Sequence, residues 1–318
     1  MEKARSKSRA KVQSTTKAPS APKISAKKAA PLRRQEEPAV DLKSGFVQTS
    51  DGVTLRYLEA GSGRPLVMIP GWCQTAEQFK HQIAALSKKY RVIAIDMRGH
   101  GASAKPEFGF RISRLAKDLY DVIHALDLKD VVLLGHSMGC SIIWCYWDLF
   151  GSERIHKLVL VDQMACAALN PAWSKEEAAS AGAIFNPETI YGLYNSLVGP
   201  QGEATIRGLF GGMLLAPISD EVKEWCLTQS LQLPKAQSAT LFFNHAVQDW
   251  RDVIPRINVP TLIVGAAASP IPLSATHWIH QQIKGSQLRV FEASEGGQHF
   301  VFLALPDRFN NVVSDFIG

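Results

Sequence analysis

Gly135-His136-Ser137-Met138-Gly139 sets a serine between two glycines, each two residues away. The apolar run 131–134 (VVLL) precedes it and the apolar stretch 138–150 follows. A buried strand, a sharp turn and a helix form the setting in which a serine hydroxyl is presented as a nucleophile. Small neighbours let strand and helix pass, and the helix N-terminus favours negative charge near the oxygen. A serine hydroxyl at its own pKa needs a base. Of the nine histidines, His299 is best placed, between the last expected strand and the final helix, behind Glu295-Gly296-Gly297-Gln298. His136 adjoins Ser137, but neighbouring side chains on a tight turn point apart. His100 reads as part of a loop turn, Arg98-Gly99-His100-Gly101, and His245 falls in a helical stretch. An acid must orient the base and stabilise the imidazolium. The loop 265–270 (GAAASP) has no carboxylate, and Glu295 is too near His299 in sequence to aim at its ring. Asp162, directly after the apolar run 158–161, is the candidate.

The oxyanion formed in acyl transfer needs two preorganised backbone N–H donors. Met138 supplies one, just after the nucleophile. The other is assigned to Trp72 in Pro70-Gly71-Trp72-Cys73-Gln74, with Gly71 permitting the backbone angle that turns the next amide inward. Trp72, Cys73, Gln74 and His136 are the residues expected to contact substrate.

These groups need a scaffold that alternates strand and helix. The Asp51-Gly52 turn joins 45–49 and 53–60 as a hairpin. The run 65–69 (PLVMI) is short and continuously apolar, as a buried parallel strand is, and 90–95, 131–134, 157–161, 261–264 and 287–291 read as further strands. Helical periodicity covers 75–88, 112–126, 138–150, 274–283 and 306–316. Such βα units imply a mostly parallel sheet covered on both faces. From 165 to 252 the alternation stops, and the segment is helical and rich in aromatic residues, among them Trp173, Phe185, Phe210, Phe242 and Phe243. It reads as a helical cap inserted between two core strands. The expected division is therefore a basic tail at 1–42, a core at 43–164 and 253–318, and a cap at 165–252.

Composition agrees with a globular enzyme: 318 residues, 46% hydrophobic and 20% charged. The net charge of +6 belongs to the tail, since eleven of the 35 basic residues and one of the 29 acidic residues lie within 1–34. The remaining 24 basic and 28 acidic residues leave a mildly acidic body. The tail is too poor in apolar groups to offset its ordering entropy and is expected to be disordered and dispensable for chemistry. Its serine-rich, acid-poor character also fits an organelle-targeting segment, but no secretory apolar region is present. Five cysteines without CxxC spacing point to free thiols in a reducing, intracellular compartment and against a structural zinc site. No run reaches the ~20 apolar residues of a membrane span. HExxH, a P-loop and a strand-linked GxGxxG are absent, so neither metal nor cofactor is expected, nor a specific nucleic-acid partner. The aromatic cap favours an apolar small-molecule substrate.

Taken together, Pro70-Gly71-Trp72, the segment 96–103 (DMRGHGAS), the GHSMG pentapeptide, Asp162 and the Gly296-Gly297-Gln298-His299 run resemble the α/β-hydrolase superfamily over roughly residues 45–318. The resemblance implies a mostly parallel sheet, a helical cap after the sixth strand and a Ser–His–acid triad acting on an ester, lactone or similar acyl bond. A serine nucleophile separates the chain from epoxide hydrolases and haloalkane dehalogenases. The body is also similar to hydrolases of fungal secondary-metabolite and toxin pathways. An acid at Asp162 behind a PGWC loop is similar to the cofactor-free dioxygenases of 3-hydroxy-4-oxoquinolines, which implies an alternative with the His–Asp pair as base. This chain departs from that group in carrying Gln74 and Met138 where substrate-contacting histidines stand. A non-catalytic ligand receptor on the same fold is a third alternative.

Overall fold

The computed structural model describes residues 40–318, so the expectations for the basic tail fall outside the described residues up to position 39. Among the described residues, eight strands make one sheet: β1 (Lys43–Gln48), β2 (Thr54–Ala60), β3 (Pro65–Ile69), β4 (Arg91–Ile95), β5 (Val131–His136), β6 (Ile155–Val161), β7 (Thr261–Ala266) and β8 (Gln287–Phe291). Their order is β1-β2-β4-β3-β5-β6-β7-β8. β2 pairs antiparallel with both β1 and β4, and every pairing from β4 onward is parallel. The central parallel strands β3 and β5 carry unbroken apolar runs because both of their faces are covered. Leu66, Val67, Met68 and Ile69 of β3 and Val131 to Leu134 of β5 have no exposed surface.

Helices flank the sheet. α1 (Lys80–Leu86) follows a short 3-10 turn at Ala76–Phe79, so the single helix expected over 75–88 is divided. α2 (Ile112–Ala125) buries Ile112, Leu115, Ala116, Leu119, Val122 and Ile123, the three-and-four spacing of one helical face. α3 (Met138–Phe150) is buried from Met138 through Trp147. A helix apolar on all sides belongs inside the protein, and this one starts at the serine of the pentapeptide. Between β6 and β7 lie α4 (Lys175–Ala181), α5 (Pro187–Val198), α6 (Gly202–Gly211), α7 (Asp220–Ser230) and α8 (Lys235–Ala246). After β7 come α9 (Leu273–Gln282), the short α10 (Val301–Ala304) and α11 (Pro306–Ile317). No helix among the described residues is long and apolar enough to cross a membrane. All five cysteines are free and buried.

One polar network ties the β4 end to α2. Arg98 is fully buried and donates from Nε to Asp118 Oδ2 at 2.6 Å and from Nη2 to Asp51 at 3.0 Å. Removing one partner of such a pair would leave an uncompensated buried charge.

Candidate active site

Three backbone turns at the carboxyl ends of neighbouring strands hold the candidate groups. Ser137 lies between β5 and α3 at φ 53° and ψ −126°. Its N–H donates to Val161 O at 2.9 Å, and its C=O accepts from Cys140 N at 2.8 Å. The two flanking glycines are steric necessities. A Cβ on Gly135 would stand 2.7 Å from the backbone of Gly139, and one on Gly139 would stand 2.3 Å from Ile69 O. Asp162 directly follows β6 at φ 51°, and its N–H donates to Val264 O at 2.8 Å. Cys73, in the loop after β3, is at φ 55°. Left-handed backbone is costly for non-glycine residues, and three of the five such residues among the described ones sit at this edge.

His299 Nδ1 lies 2.7 Å from Asp162 Oδ2, and both side chains are buried. The imidazole thus donates its Nδ1–H to the carboxylate and leaves Nε2 as the basic atom. Ser269 Oγ donates to the same Asp162 oxygen at 2.5 Å and stands 3.4 Å from His299 Nδ1. It also accepts Ile271 N–H at 3.1 Å. The loop after β7 therefore reaches the Asp–His pair with a hydroxyl, although it has no carboxylate. Ser269 was not legible as a site residue; its only signal was being the one polar side chain in 265–270.

The loop after β3 lies against Ser137, since a Cβ on Gly71 would meet Ser137 Cβ at 3.0 Å. The positive φ in this loop belongs to Cys73, not to Gly71, which corrects the expected placement of the turn. Cys73 N–H donates to His100 Nε2 at 3.2 Å, Gln74 N–H to Gly71 O at 3.1 Å, and Gly71 N–H to Gln74 Oε1 at 2.9 Å. Among the described residues the N–H groups of Trp72 and Met138 have no protein acceptor. His100 is more than a loop residue. Its Nδ1 donates to Arg98 O at 3.0 Å, and burial lowers its pKa to about 4, so Nε2 stays a free acceptor for Cys73.

A cavity of about 340 Å³ brings the two halves of the molecule together. Trp72, Gln74, Ser137, Gln163 and His299 line it from the sheet, and Phe210, Phe242 and His245 of the inserted helices line it with Met213 of the turn after α6. The Trp72 indole packs 5.6 Å from Phe242 and 6.1 Å from Phe210, and its Nε1–H donates to Ser238 O in α8 at 2.9 Å. Of the four residues expected on substrate, Trp72 and Gln74 line the cavity. Cys73 and His136 do not: Cys73 is turned inward by its left-handed backbone, and His136 is packed behind the site. His136 Nδ1 is 2.9 Å from Gln74 Oε1 and Nε2 is 2.9 Å from His299 O, with the two imidazole rings 4.6 Å apart. Burial, with His299 alongside, holds its pKa well below the ordinary histidine value.

Two polar residues on the cavity were not anticipated. Gln163 Nε2 donates to Ser141 Oγ at 3.0 Å and stands 3.2 Å from His245 Nε2. Burial lowers the His245 pKa to about 4, which keeps this ring neutral and able to accept. Gln163 follows Asp162 directly, so the turn that places the acid also places an amide on the cavity wall.

The family model described as alpha/beta hydrolase fold matches residues 64–304. The non-heme chloroperoxidase CPO-A1 of Kitasatospora aureofaciens is 28% identical over 282 residues, covering 85% of this chain and 98% of that protein. The structure of an esterase from Exiguobacterium antarcticum is 26% identical, with a TM-score of 0.77 over 86% of this chain and 99% of its own. The bromoperoxidase structure from Bacillus anthracis, 22% identical with a TM-score of 0.79, covers 86% of this chain and 99% of its own and shares the fold.

Proposed function

We propose that this chain, which belongs to the alpha/beta hydrolase fold family, is a serine hydrolase cleaving an ester or lactone of an apolar small molecule. Ser137 Oγ attacks the carbonyl carbon while His299 Nε2 takes its proton. Asp162 holds the imidazole by Nδ1 and stabilises its cationic form. The N–H groups of Trp72 and Met138 receive the oxyanion. Collapse expels the alcohol, which takes the proton from His299, and leaves an acyl-serine. His299 then deprotonates a water, which attacks the acyl-serine, and Ser137 regains its proton as the acid leaves. The inserted helices act as a cap, and their apolar wall selects the acyl or alcohol group. Gln163, facing that wall from the sheet side, offers a polar handle for a substrate with one polar substituent.

The observation that carries this reading is the 2.7 Å His299–Asp162 pair on a cavity that Ser137 also lines from a strained turn. The test is a serine-directed phosphonate with the adduct mapped by mass spectrometry, alongside turnover of p-nitrophenyl esters. Stoichiometric labelling of Ser137 and loss of turnover are expected, and labelling elsewhere or nowhere overturns the reading. The position of the acid after β6 favours a second reading, in which the His299–Asp162 pair deprotonates a substrate that reacts with oxygen directly. Ser137→Ala separates the two: it abolishes acyl transfer and only weakens oxygen uptake with a hydroxyquinolone.

A further inference from the structure

Asp162 uses one oxygen on His299 and Ser269; the other, Oδ1, is buried with no protein partner among the described residues. Two further side chains share this condition nearby. Trp144 Nε1 in α3 and Thr276 Oγ1 in α9 are likewise buried and unpartnered among the described residues. All three residues line one small void of about 10 Å³, closed by Leu160, Ile263 and Ile279. Trp144 has no exposed surface, and Asp162 and Thr276 are each 2% exposed.

The chemistry of the three atoms is complementary to one molecule. A carboxylate oxygen only accepts, an indole N–H only donates, and a hydroxyl does either. A water can donate one proton to Asp162 Oδ1, accept from Trp144 Nε1 and use Thr276 Oγ1 with its remaining capacity. The void has the room that one buried water takes, and buried waters typically make about three hydrogen bonds to otherwise unpaired groups. Dry cavities are apolar, and this one is not.

We propose that this void is a binding site for a single structural water, through which Thr276 and Trp144 act as positioning residues for Asp162. The water fixes rotation of the carboxylate, so that Oδ2 stays on His299 Nδ1. The kinetic part of this proposal rests on the role given to Asp162 above; the binding site itself does not.

A crystal structure of the full chain at a resolution that shows buried waters is the first test. Density within about 2.7–3.2 Å of all three atoms is expected, and a void without density overturns the site. Thr276→Val removes the hydroxyl while keeping the methyl packed on Gly265, and Thr276→Ser restores the hydroxyl. With a p-nitrophenyl ester, Thr276→Val should lower kcat by about fivefold at unchanged KM, the effect of losing one hydrogen bond, and Thr276→Ser should recover it. Unchanged kcat in Thr276→Val, or no recovery in Thr276→Ser, overturns the positioning role. The low-field proton resonance of His299 Nδ1–H provides a readout independent of turnover. It should move in Thr276→Val and return in Thr276→Ser; an unmoved resonance overturns the positioning role even if the chain cleaves no ester.

Discussion

The turns at the sheet edge hold Cys73, Ser137 and Asp162 on backbones near φ +50°, whereas Phe210 and Phe242 line the cavity from inserted helices. On the sheet side hydrogen bonds hold the backbone of the turns and the His299 ring. Ser137 N–H goes to Val161, Asp162 N–H to Val264 and Cys73 N–H to His100, while His299 goes to Asp162. On the helical side the aromatic contacts are tilted or edge-on, with ring separations between 5.6 and 6.1 Å. Hydrogen-bonded turns fix position to a fraction of an ångström, as charge stabilisation in a transition state demands. Apolar packing fixes volume and tolerates adjustment. The comparison therefore predicts that changes on the sheet side act on kcat and changes on the helical side act on substrate preference.

The largest effect should come from Asp162→Asn. The amide keeps the shape but cannot hold the His299 tautomer, so kcat should fall about 10⁴-fold with KM little changed. Steady-state kinetics beside an unaltered circular dichroism spectrum checks it. A comparable loss in KM instead would mean that the sheet edge binds substrate rather than stabilising the transition state.

His100→Leu should come second. It leaves Cys73 N–H buried and unpaired and frees the loop that presents Trp72 N–H. A tenfold to hundredfold loss in kcat is expected, less than removing an oxyanion donor outright costs. Full activity in this variant would show that the loop is held by Gln74 and Asp96 alone, the latter through Ala76 N–H at 2.7 Å.

The same histidine sharpens the comparison through pH. His100 and His245 both have folded-state pKa values of about 4, against 6.5 for an unperturbed histidine. The unfolded chain takes up these protons as pH falls below 6.5, while the native state does so only near 4. Their contribution is complete above 6.5 and is lost as pH falls towards 4, at about 1.4 kcal/mol per pH unit for each histidine within that window. Burial of His136 acts in the same direction. Urea midpoints at pH 7, 6 and 5 should fall in that order, with a shallower decline in His100→Leu. A flat series would mean that these rings are hydrated.

How much of this was legible follows from the same physics. The central strands could be read because a covered parallel strand is apolar nearly throughout, as 65–69 is, whereas the edge strand 287–291 is half-covered and carries Gln287 and Arg289. β5 runs two residues further than its apolar run because Gly135 and His136 still pair with β6. The positions of Ser137 at the turn into α3 and of His299 after β8 were legible because a local motif and a place after the last strand constrain them. Ser269 and His100 were not, because their roles depend on partners 107 and 27 residues away. A hydroxyl or imidazole acting at such a distance leaves no periodicity in the chain. The left-handed turn in the loop after β3 was expected at Gly71, the residue that adopts it most easily, yet Cys73 adopts it. A hydrogen bond from its own amide to His100 holds it there.

The smallest effect belongs to the helical wall. Phe242 is 7% exposed and packs between Trp72 and Phe185, at 5.6 and 5.8 Å. Phe242→Leu removes part of a ring from the cavity while leaving an apolar side chain to pack. Since a methylene in an apolar pocket is worth only about 1–3 kcal/mol of discrimination, the ratio of kcat/KM for octanoyl over acetyl p-nitrophenyl esters should rise by about threefold to tenfold. The kcat for the shorter ester should stay within about twofold, because none of the hydrogen bonds at Ser137, His299 or Asp162 involves α8. A uniform fall in kcat for both esters would mean that the helical wall also positions the nucleophile, through the bond from Trp72 Nε1 to Ser238 O. The division of labour between turns and helices would then dissolve into one coupled site.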